Sequence, residues 1–107
     1  MATCAPLRVT VEIKLHEGPA AGQRRFRLSR QVELPPRLCL DGPLPLEGQC
    51  RGEAAFGLPG GPAIAGRALL HHDPQRPELG SEVELVDLEQ EALQALQTYI
   101  EQRMQPQ

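Results

Sequence analysis

From Leu7 to Leu15 every second residue is apolar: Leu7, Val9, Val11, Ile13 and Leu15 alternate with Arg8, Thr10, Glu12, Lys14 and His16. A period of two is that of a strand with one buried face. The loop EGPAAGQ follows, rich in glycine and suited to reversing the chain. A second alternation then sets Phe26, Leu28, Val32 and Leu34 on one side and Arg25, Arg27, Ser29, Gln31 and Glu33 on the other. As a regular strand it turns Arg25 and Arg27 outward and Phe26 and Leu28 inward. Arg30 falls on the apolar phase, a place a strand tolerates near a rim, at a bulge, or with a partner for the charge.

Shorter segments continue the pattern. RLCL, 37 to 40, is a third strand, ended by DGPLP because proline is poorly accommodated inside a sheet. Cys50, Ala54, Phe56 and Leu58 share one phase of a fourth, with Gly52 among them. PGGP turns the chain, AIAGRALLHH supplies a fifth strand with Ile64, Ala68 and Leu70 inward, and SEVELV a sixth with Val83 and Leu85 inward. The period then changes. Ala92, Leu93, Leu96, Tyr99 and Ile100 form a stripe at helical spacing over about residues 88 to 104, and Asp87 with Gln90 offers a capping-box-like start. Six short antiparallel strands and one amphipathic helix predict an all-β fold, a six-stranded β-barrel closed by its C-terminal helix, in one domain over 1–107.

Composition narrows the chemistry. The net charge is −3, and all but one of the eleven Lys and Arg residues are arginine, so basic character is local and general nucleic-acid affinity is not indicated. MATCAPLRVT lacks the charged and apolar regions of a secretory leader, and no stretch is apolar enough to span a bilayer, which predicts a cytoplasmic protein without membrane insertion. Cys4, Cys39 and Cys50 are odd in number and lack C-x-x-C spacing, so they read as reduced, partly buried thiols. His71-His72-Asp73 does not read as a metal site, since adjacent strand residues point to opposite faces. Ser29 and Ser81, the only serines, lack a nucleophile context, and Asp41, Asp73 and Asp87 have turn or cap explanations, so no catalytic residue is assigned. Phe26, Phe56 and Tyr99 all fall on core phases, leaving no aromatic platform for single-stranded nucleic acid.

Residues 24 to 104 resemble a PilZ domain, the small six-stranded barrel with a C-terminal helix that bacteria use to sense cyclic di-GMP or, in degenerate members, to bind protein partners. The resemblance rests on RRFRLSRQVELPPRL, on FGLPGG, on IAGRALLHH and above all on LGSEVELVDLEQEALQALQTYIEQRM. The strand at 7 to 15 lies outside it.

Ligand-competent members carry R-x-x-x-R before the barrel and D/N-x-S-x-x-G on the next strand. Paired guanidiniums donate to phosphate and stack on guanine, while the acid, hydroxyl and glycine hold a base edge. Here Gln23 stands at the first arginine position and Arg27 at the second, and in DGPLPLEG Asp41 and Gly48 remain without the serine. Each lost charge-assisted contact costs about 1.5–3 kcal/mol, so weak or no binding of cyclic di-GMP is expected. Were it bound, Arg24, Arg25, Arg27, Arg30 and Asp41 are the candidates, with a shifted clamp of Arg24, Arg27 and Arg30 or a mobile arm as the alternative geometries. The resemblance then implies either a non-catalytic adaptor binding a signalling or motility protein, through the free edge of the strand at 7 to 15, or a rearranged cyclic di-GMP sensor. No cofactor is expected, and either reading admits a monomer or a homodimer.

Overall fold

The computed structural model describes residues 3–46, 48–73, 75 and 80–104. In chain order they form β1 (Cys4–Pro6), β2 (Thr10–Leu15), β3 (Arg24–Glu33), β4 (Arg37–Leu40), β5 (Gly48–Gly57), β6 (Ala63–His72), β7 (Ser81–Leu85) and α1 (Gln90–Met104). All pairings are antiparallel, and the circuit β3-β2-β5-β6-β7-β4 returns to β3. This is the expected closed six-stranded barrel with a C-terminal helix, and β1 is added to β3 outside the circuit. No helix among the described residues is long and apolar enough to cross a membrane.

The expectation of an extra strand over 7–15 is corrected. Thr10–Leu15 is a stave of the barrel, paired with β3 on one side and β5 on the other, so it has no free edge. The strand outside the circuit is Cys4–Pro6, and it offers three residues, one of them a proline that cannot donate.

Inward residues follow the alternation along most staves: Val11, Ile13 and Leu15, then Leu38 and Leu40, Ala54 and Phe56, Ile64, Ala68 and Leu70, and Val83 and Leu85 are all buried. From α1, Leu96, Tyr99 and Ile100 are buried, and the Tyr99 hydroxyl donates to the Pro6 carbonyl at 2.8 Å. The helix therefore lies over the barrel end that holds β1 and the β5–β6 turn, where a three-and-a-half-residue stripe finds the apolar surface the open staves leave. It begins at Gln90, and Glu89 accepts the first helical bond from Leu93 N at 3.0 Å. Asp87 is not its cap, because its carboxylate pairs with Arg67 on β6.

β3 departs from the predicted phase, and the reason is local. Opposite β4 the ladder runs Glu33 with Arg37, Val32 with Leu38, Gln31 with Cys39 and then Ser29 with Leu40, which makes Arg30 the extra residue of a bulge. Before the bulge, Arg25 and Arg27 pair with the buried Ile13 and Val11 and so share the inner face, while Phe26 and Leu28 pair with Glu12 and Thr10 outside. After it, Val32 is inward. The expected inward placement of Phe26 and Leu28 and outward placement of Arg25 and Arg27 are thus both inverted.

Across the same point the N-terminal chain has its own extra residue, with Leu7 to Val9 standing opposite Ser29 and Arg30. Ser29 repairs this double irregularity. Its buried hydroxyl donates to the Leu7 carbonyl at 2.5 Å and accepts from Val9 N at 3.0 Å, supplying bonds that the broken ladder cannot. Ser29→Ala should therefore cost about 1–3 kcal/mol in urea unfolding with an unchanged m value, because two backbone groups lose their partner. Gly52→Ala should also destabilise by about 1–3 kcal/mol, since a Cβ there would run into the Lys14 carbonyl and the Leu70 side chain where β2 crosses β5.

Candidate functional site

The four arginines of β3 do not converge. Arg24 lies outside and reaches Glu12 at 3.4 Å on the neighbouring stave. Arg25 lies inside, its Nη2 donating to Gln23 Oε1 at 3.0 Å, and its Nε is buried without a hydrogen-bond partner. Arg27, also inside, donates from Nε to the Pro43 carbonyl and from Nη1 to the Phe26 carbonyl, both at 2.9 Å. Two guanidiniums on the inner phase are tolerable because β4 pairs with β3 only from Ser29 onward. Residues 24 to 28 thus border the barrel's mouth, where Arg25 and Arg27 are half-buried. Among the described residues neither Arg25 nor Arg27 pairs with a carboxylate.

Arg30 has two of the settings in which a strand tolerates such a charge: it sits at a bulge, and its Nε is 3.3 Å from Asp41 Oδ1. Arg8 approaches the other oxygen of Asp41 at 3.5 Å. Asp41 follows β4 directly, and its amide donates to the Leu28 carbonyl at 2.8 Å, so backbone as well as charge holds it beside β3. The structure brings together Arg30 and Asp41 of the candidate set, with Arg8 as an unforeseen third member; Arg24, Arg25 and Arg27 are directed elsewhere. With the Arg30 and Asp41 side chains 43% and 44% exposed, such a pair contributes about 0–1 kcal/mol. The shifted clamp of Arg24, Arg27 and Arg30 is not formed, because Arg24 and Arg27 lie on opposite faces of one strand and the bulge separates Arg30 from both. Nor are the arginines a mobile arm, since β3 starts at Arg24.

Two features went unread in the sequence. The first is the exposed apolar pair Phe26 and Leu28, at 59% and 40% exposure. With half-buried Ala55 and exposed Ala63 and Ala65 on the same outer surface, Phe26 borders a shallow trough across β3, β2, β5 and β6. The second is a cavity of about 640 Å³ at the mouth, whose lining includes Pro19, Leu44, Pro45, Leu46, Cys50 and His72. His71 and His72 do point to opposite faces, His71 exposed and His72 buried. Since His72 has the parity of the inward Ile64, Ala68 and Leu70, the alternation itself carried the signal for the second feature. Among the described residues no group of three or more His, Cys, Asp or Glu is placed to hold a metal ion.

The three thiols are free but differ in setting: Cys50 is buried, Cys39 half-buried, and Cys4, against expectation, exposed. Burial raises the Cys39 thiol above its ordinary pKa, and the nearby Glu33 and Glu82 carboxylates raise it further. The chain matches no protein-family model, no curated protein and no solved structure.

Because Cys39 holds its proton more tightly in the folded protein, its thiolate is scarce until the pH passes well above the ordinary thiol value. Iodoacetamide at pH 8 should therefore modify Cys4 well before Cys39, as read by mass mapping of the native protein. In denaturant the difference should vanish.

Proposed function

We propose that this chain is a non-catalytic, PilZ-like adaptor of bacterial signalling or motility, acting in the cytoplasm by protein–protein interaction, with cyclic di-GMP binding lost. The observation that carries the reading is the outward Phe26 and Leu28, with the small Ala55, Ala63 and Ala65 on the same sheet face. A flat apolar face with a projecting aromatic suits the surface of another protein, where a buried aromatic anchor supplies most of the binding energy. Glu12, Lys14 and Arg24 border it with both signs of charge, as polar rims of interfaces do. Edge-strand pairing is a poorer route, because among the described residues the edge outside the barrel circuit is only Cys4–Pro6.

The loss of nucleotide binding is supported by the dispersal of the arginines over Glu12, Gln23, Pro43 and Asp41. One observation favours the sensor reading as an alternative: Arg25 and Arg27 share the inner face without a carboxylate, and Arg25 Nε has no partner. Its clamp would be those two side chains at the mouth.

Calorimetric titration with cyclic di-GMP should give no heat. Micromolar binding lost in both Arg25→Ala and Arg27→Ala would replace the adaptor by the sensor. A photo-crosslinking residue in place of Phe26, in cells of the source organism, should capture one discrete protein, and the same residue in place of the exposed Glu84 should not. Equal capture at both positions, or none at Phe26, would remove this face from the proposal.

A further inference from the structure

The mouth of the barrel is a cavity whose lining carries three polar side chains, Glu17, Gln49 and His72, of which only His72 is buried. Its wall, the loop after β4, is tied down from both sides. Arg27 donates to the Pro43 carbonyl from β3 at 2.9 Å, and the Ser81 hydroxyl donates to the Gly42 carbonyl from β7 at 3.0 Å. Leu44 is buried as a result, and Leu46 N closes on the Leu44 carbonyl at 2.8 Å. Pro19, Pro45 and Leu46 complete an apolar lining around about 640 Å³, a volume suited to a small organic molecule.

Among the lining residues His72 is 6% exposed, and its Nδ1 lies 3.2 Å from the Gly80 carbonyl oxygen. A carbonyl only accepts, so Nδ1 carries the proton, and in the neutral ring Nε2 is left as an acceptor. The φ of Gly80 is +73°, and a Cβ there would meet the Leu40 carbonyl, so only glycine fits beside β4 at this point. Among the described residues Nε2 meets no donor. Cys50 lines the same cavity, its thiol 3.3 Å from the Arg51 carbonyl and 3.6 Å from that of Glu17. Glu17 also stands at the cavity, its carboxylate held by Arg51, whose Nε lies 3.5 Å from Glu17 Oε1 and whose amide donates to the same oxygen at 3.3 Å.

We infer that this mouth is a binding site for a small, neutral, largely apolar molecule bearing one hydroxyl, of phenol or alcohol type, whose O–H donates to His72 Nε2. The apolar body fills the Pro and Leu lining, and the hydroxyl donates to the buried His72 and not to the exposed Glu17 or Gln49. The site is separate from the outer face of Phe26, and it stands or falls independently of the adaptor function.

1-Naphthol and its methyl ether, 1-methoxynaphthalene, are nearly the same size and differ in the donor. Titrated into the full chain and followed by NMR, 1-naphthol should saturate, shift the His72 Nε2 resonance, and bind about tenfold tighter than the ether, the worth of one neutral hydrogen bond. It should also slow alkylation of Cys50 in the Cys4→Ser, Cys39→Ser chain. His72→Leu should bring the two affinities together. If that variant does not fold, the contrast between the two probes on the unaltered chain decides. Equal affinities with no movement of the His72 ring, or no saturation by 1-naphthol up to its solubility, would overturn the inference.

Discussion

A single buried hydroxyl, that of Ser29, stands at the point where two irregularities in the hydrogen-bond ladder coincide. On one side the N-terminal chain carries a residue too many between β1 and β2, and on the other Arg30 is the surplus residue between β3 and β4. Closing a small barrel requires strands to shear past one another, and a bulge is the local means of doing so. The cost is two backbone groups out of register. Ser29 answers both, one as donor and one as acceptor, in a volume where neither water nor a longer side chain need enter. That repair lets β3 change its inward parity within its length, and the rest of the arrangement follows from the change.

Its first consequence is the division of β3 into two functional halves. The half after the bulge contributes Val32 to the core, where β4 supplies a neighbour. The half before it turns arginines toward the mouth and Phe26 and Leu28 toward solvent. A run of guanidiniums that reads as ligand chemistry becomes in large part architecture. Arg30 neutralises Asp41 at the surface, and Arg27 holds the loop that walls the cavity. The exposed ion pairs contribute little energy each, so their value lies in where they hold the chain.

The two ends of the barrel are unlike for the same reason that the elements are unlike. At one end α1 lays a helical stripe over the core and anchors it through Tyr99 on Pro6. At the other the described residues form no helix, and Gly18, Pro19, Leu44, Pro45 and Leu46 border an open volume that His72 also lines. Apolar surface at the first end is consumed by the fold. At the second it stays available to a guest, while the outer face of Phe26 offers a separate, flatter surface to a protein. The proposed adaptor function and the proposed small-molecule site thus occupy different surfaces.

Hydrophobic periodicity determined most of this by itself: period two marked the staves, the closed antiparallel barrel and the inward residues from Val11 to Leu85 on every strand except β3, and the change to helical spacing marked the C-terminal helix. It also marked Arg30 as a residue in need of a bulge or a partner, because a charge on an apolar phase is costly wherever the strand runs regularly. What it could not decide was which half of β3 kept the phase, since parity is relative and a single inserted residue inverts every side chain beyond it. Pairing with β2 and β4 made that choice, and with it the places of Phe26, Arg25 and Arg27. The mouth cavity likewise depends on loops far apart in the chain, tied by Arg27 and Ser81 across distances that no local pattern encodes. Local chemistry sets which face a residue prefers, and only the closed circuit of strands settles which face is inside.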